Sequence, residues 1–336
     1  MILRTIHVGV GGRGVWPIEV LGADPRFQPV ALVDVNRDFL VQAQARLQLP
    51  DSALFSDLQA ALDAVEADAV VICTPTVTHA TLARRAFAHG KHVLVEKGMT
   101  MDWAEAQALV REAEQAGVRF CVAQNYRYFA HFATLKHVLA DPGHAHHPGR
   151  VEIVDFIHHR YRPEPRTLTY PYAMVWDMSC HHVDLLAYWL GEARRVTAMS
   201  YNTSWSQYAH DANIAAIIEY AGGAICHYVL THNATISDWR IILQGERGAL
   251  RTADVPGVQF YPRPTGQLGS SPPQPVAEVR VPALSEQGVV DDFYRFVVEG
   301  IEPGISGRNN LQTLAVCEML VRSARERRPV ARAELD

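Results

Sequence analysis

The amino-acid sequence predicts two domains: an N-terminal α/β domain with a doubly wound parallel sheet, and a C-terminal α+β domain with a mostly antiparallel sheet. Three observations support this prediction. The length of 336 residues fits about two domains. In the first third of the chain, short β-branched runs alternate with helical patterns, which is typical of parallel βαβ units. Farther along, long strand-like runs follow one another with few helices between them.

The N-terminal domain is predicted to cover residues 1–124. Its predicted strands are Thr5–Val10, Pro29–Val33, Ala69–Cys73, His92–Val95 and Phe120–Ala123. Its predicted helices are Val15–Leu21, Arg37–Gln48, Asp57–Ala64, His79–His89 and Asp102–Ala116. Because the crossovers between parallel strands are right-handed, strand and helix are expected to alternate around a single sheet.

The C-terminal domain is predicted to cover residues 125–336. Its strand-like runs are Val151–Arg162, Val196–Asn202, Asn213–Tyr220, Ala224–Thr231 and Arg240–Gln244. Its predicted helices are Phe129–Ala140, His182–Leu190, Glu286–Glu299 and Asn309–Arg327. Strands that succeed one another without intervening helices favour antiparallel pairing.

Composition and charge exclude several classes of protein. Hydrophobic residues make up 48% and charged residues 20% of the chain, which allows a large core and excludes wholesale disorder. Lys and Arg number 31 against 36 Asp and Glu, a net charge of −5 that argues against nucleic-acid binding. No apolar run is long enough to span a bilayer, and the N-terminus lacks signal-peptide features. Five scattered cysteines without a Cys-x-x-Cys pair favour a reduced, cytoplasmic protein.

A glycine-rich stretch follows the first predicted strand. The run Gly9-Val10-Gly11-Gly12-Arg13-Gly14 fits G-x-G-x-x-G, and Asp34 stands 20 residues after Gly14, at the end of the next strand. In such a loop the first glycine makes a tight turn, the second admits a pyrophosphate, and the third allows close helix–strand packing. The helix that follows offers free N–H groups to phosphates. A glycine turn that binds nothing is the alternative interpretation.

The residues after the second strand bear on the choice of cofactor. Asp34 can accept hydrogen bonds from the ribose hydroxyls of NAD and would repel a 2′-phosphate. Arg37 stands nearby and could pair with that phosphate, which leaves NADP open; it could also be a solvated residue at the start of a helix. The sequence therefore favours NAD over NADP.

Two further stretches carry candidate catalytic residues. Lys97 follows Glu96 at the carboxyl end of a predicted strand, where ligands bind in open parallel sheets. In the second domain, Asp177 and His181 are four residues apart and share one face of a helical turn, as do His181 and Asp184. A histidine oriented by carboxylates is a suitable general base for a hydroxyl proton. The alternatives are a surface lysine paired with Glu96, a buried structural histidine, and a metal site, which no His-x-x-x-His or cysteine cluster supports.

Together, these motifs resemble the glucose–fructose oxidoreductase/inositol dehydrogenase family, abbreviated Gfo/Idh/MocA. The matching stretches are Gly9–Gly14, Ala31–Asp34, Thr74–His79, Gly90–Lys97, Gln124–Arg127 and Asp177–Asp184. The resemblance implies an N-terminal Rossmann domain and a C-terminal domain built on a large open sheet, whose outer face often forms a dimer or tetramer contact. One departure is clear: the family usually has Glu-Lys-Pro where this chain has Glu96-Lys97-Gly98. Since glycine frees the backbone, Lys97 is expected to sit slightly differently.

The resemblance also implies roles for individual residues. Lys97, Asp177 and His181 are expected to act together in hydride transfer. The expected cofactor-binding residues are Gly9, Gly11, Gly12, Arg13, Gly14, Asp34, Arg37, Thr74, Pro75, His79, Glu96 and Lys97. The expected substrate-binding residues are Asn125, Arg127 and Asp184 from the resemblance, and Arg160, Tyr161 and Trp176 from the strand pattern and side-chain chemistry described below.

The leading functional hypothesis is oxidation of a secondary hydroxyl of a sugar, sugar acid or polyol with NAD. His181 would remove the hydroxyl proton, Asp177 would orient the imidazole, and Lys97 would steady the oxygen. Three alternatives stay open: an NAD-dependent glycosidase that oxidises a ring hydroxyl transiently, a non-catalytic NAD(H)-binding regulator, and a reductase working in the reverse direction.

The strand-like run Phe156–Arg162 bears on the substrate. A period of two places His158, Arg160 and Arg162 on one face, and His159 and Tyr161 on the other. If the basic face meets the substrate, an acidic sugar is favoured; the alternative is pairing with acids at a subunit contact. Trp176 and Tyr161 could pack on a sugar ring, although aromatic residues also serve as plain core.

Overall fold

A computed structural model describes residues 1–163, 165, 168–253, 257–264, 266, 269 and 271–335 of the chain. The chain folds into two compact units, Met1–Asn125 with Pro282–Leu311, and Tyr126–Val281 with Gln312–Asp336. The segment 282–311, which the sequence assigned to an uninterrupted domain of residues 125–336, therefore lies with the first unit. The two units are described separately below.

The elements follow the predicted alternation closely. The helices are α1 (Val15–Ala23), α2 (Arg37–Leu47), α3 (Leu58–Ala64), α4 (Thr76–Ala88), α5 (Trp103–Gln115), α6 (Ala130–Ala140), α7 (Cys180–Leu190), α8 (Ser285–Glu299) and α9 (Gly307–Glu326). The first strands are β1 (Leu3–Val8), β2 (Phe27–Val33), β3 (Leu54–Phe55), β4 (Ala69–Ile72), β5 (His92–Glu96), β6 (Phe120–Ala123), β7 (Val151–Tyr161) and β8 (Ala193–Tyr201). The remaining strands are β9 (Asn213–Tyr220), β10 (Ile225–Thr231), β11 (Asn233–Gly245), β12 (Gly248–Ala253), β13 (Val258–Pro262), β14 (Gln274–Val276) and β15 (Val330–Ala331).

The first unit is built on a six-stranded parallel sheet in the order β3-β2-β1-β4-β5-β6. Strand β4 is buried along its whole length, as expected where helices cover both faces of a parallel sheet. Side chains cap several helices: Asn36 accepts from the backbone of Asp38 at α2, and Asp102 accepts from that of Glu105 at α5. This sheet confirms the predicted Rossmann fold.

Strand order in this sheet reverses at β1, which has β2 on one side and β4 on the other. Open α/β sheets bind ligands outside the carboxyl ends of the strands at such a switch point. The glycine loop follows β1, Asp34 follows β2, Thr74 lies beyond β4 and Lys97 follows β5. The topology therefore brings these residues to one edge of the sheet.

Helix α8 explains why the segment 282–311 belongs to the first unit. The helix packs against α1 and β6. It buries Val289, Val290 and Phe293 completely, and Arg26 beside α1 pairs with Asp291. Burial of this apolar face is a favourable term that sequence position alone does not reveal.

The second unit is built on a nine-stranded sheet in the order β14-β13-β12-β11-β7-β10-β9-β8-β15. Strands β7 and β10 pair in parallel, whereas the other neighbours pair antiparallel, which confirms the predicted mostly antiparallel sheet. Along β7 the buried positions alternate through Val154, Phe156 and His158. Within the described ranges, no helix combines the length and apolar character that crossing a membrane requires.

Candidate cofactor and catalytic residues

The glycine loop of the first unit is closely packed at one end and open at the other. A Cβ added to Gly14 would lie 1.8 Å from the carbonyl oxygen of Gly9, so close packing excludes any side chain there. Gly9 and Gly12 have φ values of +78° and +55°, which favour glycine. A Cβ at Gly12 would have no described atom within 4 Å. The loop thus leaves space at Gly12, just before α1, where a phosphate could approach the backbone.

The Asp34 carboxylate is held beside this loop. It accepts the N–H of Val10 at 2.9 Å and that of Asn36 at 2.8 Å. Arg37 is the exposed first residue of α2. The side chain that would meet a ribose is therefore oriented by the backbone of the glycine loop itself.

Glu96, at the end of β5, is a buried acceptor for three donors. Arg13 Nε donates to Oε1 at 2.8 Å, Trp16 Nε1 donates to Oε1 at 3.0 Å, and the N–H of Lys97 donates to Oε2 at 2.8 Å. Arg13 also donates to Glu286 at 3.0 Å. Glu96 therefore links the glycine loop to the backbone of Lys97. Because Glu96 is only 4% exposed, solvent competes little for these hydrogen bonds.

His79 performs a similar linking role after β4. Its ring lies 2.8 Å from the Thr74 carbonyl oxygen through Nε2 and 2.8 Å from the Gly98 carbonyl oxygen through Nδ1. Burial lowers the pKa of His79, so its neutral ring donates to one of these two carbonyls. Pro75 lies just before α4 and Thr74 pairs with Thr78. The peptide bond between Lys97 and Gly98 is cis.

Asn125 belongs to the first unit, whereas the other expected substrate residues belong to the second. Its side-chain amide donates to Ser285 Oγ at 3.0 Å and to Glu286 Oε1 at 3.3 Å. Sequence reasoning missed Ser285 and Glu286, because they are 160 and 161 residues from Asn125 along the chain and no local pattern marks them.

In the second unit, Asp177 and His181 lie around a helical junction. Residues Val175–Ser179 form a π-helical turn that leads into α7, which begins at Cys180. Asp177 Oδ2 lies 3.4 Å from Arg162 Nε. The His181 ring stacks on Tyr126, with centroids 4.0 Å apart and planes 5° from parallel. Tyr126 was not among the predicted site residues, and Arg162 was considered only as part of the basic face of β7.

Arg127 and Asp184 form a buried ion pair inside the second unit. Arg127 Nε and Nη2 donate to the two carboxylate oxygens at 2.7 and 2.8 Å, and Thr313 donates to Oδ1 at 3.0 Å. The Asp184 side chain is 0% exposed, and the Arg127 guanidinium lies 4.9 Å from the Tyr188 ring centroid. The structure thus brings both residues together as packing partners, with their hydrogen-bonding groups directed at each other.

The basic residues of β7 share one face of the strand, as the sequence predicts. His158 is buried, and Arg160 and Arg162 are half-buried on the same side. Tyr161 projects from the opposite face, is 59% exposed, and accepts a hydrogen bond from Gln207 at 2.7 Å. Trp176 is half-buried in the π-helical turn. Arg160 and Tyr161 therefore cannot contact one substrate from the same face of the strand.

A buried hydrogen-bonded chain begins at His158. His158 Nδ1 lies 3.1 Å from His182 Nε2, and His182 Nδ1 lies 2.8 Å from the Tyr228 hydroxyl. Tyr228 donates to Ser179 at 2.7 Å, and Ser179 donates to the Met174 carbonyl at 3.4 Å.

The Met174 carbonyl oxygen can only accept a hydrogen bond, and this fixes the direction of every hydrogen bond in the series from His158 to Met174. Ser179 donates to the carbonyl, so it accepts from Tyr228; Tyr228 in turn accepts from His182 Nδ1–H. Burial lowers the pKa of His182, so its ring is neutral and its Nε2 accepts from His158 Nδ1–H. The neutral His158 ring is left with a lone pair on Nε2.

His158 should make the protein less stable in acid. Burial, followed by the charge of Arg160, lowers its pKa from 6.5 to about 3, so unfolding takes up a proton between those values. As the pH falls through this window, we expect His158 to reduce the free energy of unfolding by about 1.4 kcal/mol per pH unit. Urea unfolding at several pH values between 7 and 4.5 measures the free energy of unfolding. This free energy should fall less steeply with decreasing pH in His158→Gln than in the wild-type protein. An identical pH dependence in both proteins would contradict this prediction.

Comparisons with known proteins identify the family of the chain. Residues 3–124 match the model of an oxidoreductase family with an NAD-binding Rossmann fold, and residues 134–251 match the GFO/IDH/MocA C-terminal domain. The chain belongs to the Gfo/Idh/MocA oxidoreductase family. This confirms the resemblance, and it makes the chain an NAD-binding dehydrogenase of that family.

Individual Gfo/Idh/MocA relatives are distant in sequence. D-Apiose dehydrogenase from Paraburkholderia graminis is 25% identical over 323 residues, covering 91% of this chain and 84% of that protein. Inositol 2-dehydrogenase from Rhizobium meliloti is 26% identical over 284 residues, covering 80% and 83%. The aldose-aldose oxidoreductase of Caulobacter crescentus, solved with glycerol, superposes with a TM-score of 0.85 at 22% identity, covering 98% and 100% of the two chains. That last likeness shows the shared fold.

Proposed function

We propose that the protein transfers a hydride between a secondary hydroxyl of a sugar, sugar acid or polyol and NAD. The observation that carries this proposal is the glycine loop, with Gly14 packed against Gly9, space at Gly12, and Asp34 oriented by the Val10 N–H. These residues fit a dinucleotide, since they offer backbone N–H groups to a pyrophosphate and a carboxylate to a ribose. Membership of a family with sugar and polyol dehydrogenases supports the substrate class.

The bound nicotinamide supplies the hydride acceptor, and the protein supplies position and proton transfer. In our proposal His181 takes the proton of the reacting hydroxyl, and its stacking on Tyr126 holds the plane of the imidazole. Asp177 orients that imidazole and is itself paired with Arg162. Lys97 donates to the hydroxyl oxygen, and Glu96 and His79 position it by holding the backbone on either side. A homodimer or homotetramer and a cytoplasmic location stay predictions from the sequence.

Asp34 is expected to set the preference for NAD over NADP. In the Asp34→Ser variant the carboxylate that would repel a 2′-phosphate is gone, so the NADPH:NADH affinity ratio should rise by about tenfold or more. Fluorescence titration with each reduced cofactor measures the ratio. Asp38→Ser, which removes a nearby exposed carboxylate, is the matched control and should leave the ratio unchanged. An equal change in both variants would show that general charge decides the preference.

The proposed activity is tested by following NADH formation with a panel of sugars, sugar acids and polyols. Net NADH formation that depends on Lys97 and His181 is the expected result. Cleavage of an aryl glycoside without net NADH would instead identify a glycosidase. Tight NADH binding with no turnover across the panel would contradict hydride transfer.

A further inference from the structure

Arg160 is a half-buried guanidinium for which the described residues provide no carboxylate partner. Its hydrogen-bonding contact within the second unit is Nη1 to the sulfur of Met178 at 3.6 Å, and a thioether is a weak acceptor that carries no charge. The neighbouring carboxylate, Asp177, lies 3.4 Å from the guanidinium of Arg162. Burial and the charge of Arg162 both lower the pKa of Arg160. The Asp177 carboxylate attracts the charge of Arg160 from beyond hydrogen-bonding distance, but no carboxylate among the described residues forms an ion pair with it.

The surroundings of Arg160 add polarity without negative charge. His158 lies two residues away on the same face of β7, about 7 Å along the strand, and its burial keeps it neutral. Trp239 stacks on His158 with centroids 4.7 Å apart and planes 10° from parallel. Because the proton order of the histidine chain leaves a lone pair on His158 Nε2, this face of the strand presents a cation beside a hydrogen-bond acceptor.

That combination matches a hydroxy acid. A guanidinium binds the two oxygens of a carboxylate through parallel N–H donors. A hydroxyl group on a neighbouring carbon can donate to a neutral imidazole nitrogen. A half-buried positive charge without an ion-pair partner is also partly desolvated in the free protein, so an anionic ligand gains affinity by pairing with it.

We propose that Arg160 binds the carboxylate of the substrate, so that the protein acts on sugar acids in preference to the corresponding uncharged sugars. This inference rests on the proposed function, because it names the substrate class of the same reaction. Arg160 becomes a specificity-determining residue, and His158 becomes the acceptor for an adjacent hydroxyl.

The test compares matched acid and neutral substrates. We would measure kcat/KM with NAD for D-glucuronate against D-glucose and for D-galacturonate against D-galactose. The variants are Arg160→Gln, Arg160→Lys and, as a control with the same change in charge, Arg195→Gln. Arg195 is an exposed residue of β8 that pairs with Glu219 of β9.

We expect the wild-type protein to prefer the acids by at least tenfold. The preference should fall about tenfold or more in Arg160→Gln, recover partly in Arg160→Lys, and persist in Arg195→Gln.

Two outcomes of the kinetic test would overturn the inference while leaving the proposed function intact. Equal kcat/KM for acid and neutral substrates in the wild-type protein is the first. An acid preference that survives in Arg160→Gln is the second. If light scattering then shows that Arg160→Gln has a different oligomeric state, Arg160 belongs to a subunit contact. A separate assay with D-glucose 6-phosphate checks which anion is bound. A higher kcat/KM than for D-glucuronate that falls in Arg160→Gln would overturn the carboxylate assignment and make the bound group a phosphate.

Calorimetric titration of D-glucuronate and D-glucose into the NADH complex separates this inference from the proposed function. Selective binding of glucuronate that Arg160→Gln abolishes, with no hydride transfer to any substrate, would support the anion site and contradict the dehydrogenase. Absence of both selective binding and turnover would overturn both.

Discussion

Replacing His181 with glutamine is expected to lower kcat for hydroxyl oxidation by about a hundred- to ten-thousandfold, the usual contribution of a general base. The reacting hydroxyl would lose its proton acceptor, while the glycine loop of the first unit would be untouched. NADH affinity, measured by fluorescence, should therefore stay close to that of the wild-type protein. The decrease should appear in kcat with little change in KM. Lys97→Met is expected to behave in the same way.

His227→Gln is the matched control for His181, because His227 is an exposed histidine that pairs with Asp155 on the sheet of the same unit. Its kcat should match that of the wild-type protein. Thermal unfolding of each variant shows whether the fold is retained. A folded His181→Gln protein with wild-type kcat would remove His181 from the reaction and leave its stacking on Tyr126 as a packing contact.

Replacing Asp184 with asparagine should have the largest effect on stability. The change leaves the Arg127 guanidinium without its carboxylate partner, and the loss of one member of a buried pair costs about 3–5 kcal/mol. Urea unfolding followed by circular dichroism measures the loss. The exposed pair of Arg195 and Glu219 has a similar N–O distance of 2.7 Å, yet Glu219→Gln should cost less than about 1 kcal/mol.

The double variant Arg127→Met with Asp184→Leu separates the net value of the pair from the penalty for an unpaired charge. Since it removes both charges, we expect it to be more stable than Asp184→Asn alone. If the double variant is no more stable than Asp184→Asn, the ion pair contributes more to the free energy of unfolding than the apolar side chains that replace it. A small loss in Asp184→Asn would mean that the carboxylate contributes little to folding.

Most helices and strands could be predicted because their signals are local. The helix Arg37–Leu47 begins after the cap residue Asn36, and the strand Phe120–Ala123 is a continuous apolar run. Strands β13 and β14 were not predicted, because they are short and contain Pro262 and Pro275, and their strand character comes from pairing in the sheet. The strand β11 is longer than the predicted Arg240–Gln244, and it includes an irregularity between Asn233 and Asp238.

The sequence by itself determined the parallel sheet of the first unit, the glycine loop with Asp34, and the family, because periodicity and short motifs are properties of neighbouring residues. Only the tertiary structure decided which charges are paired. Arg127 meets Asp184 57 residues away, and Arg13 meets Glu286 273 residues away. It also left Arg160 without an ion pair to any carboxylate of the described residues. Such pairings depend on how distant segments pack, and no local pattern of residue types records that packing.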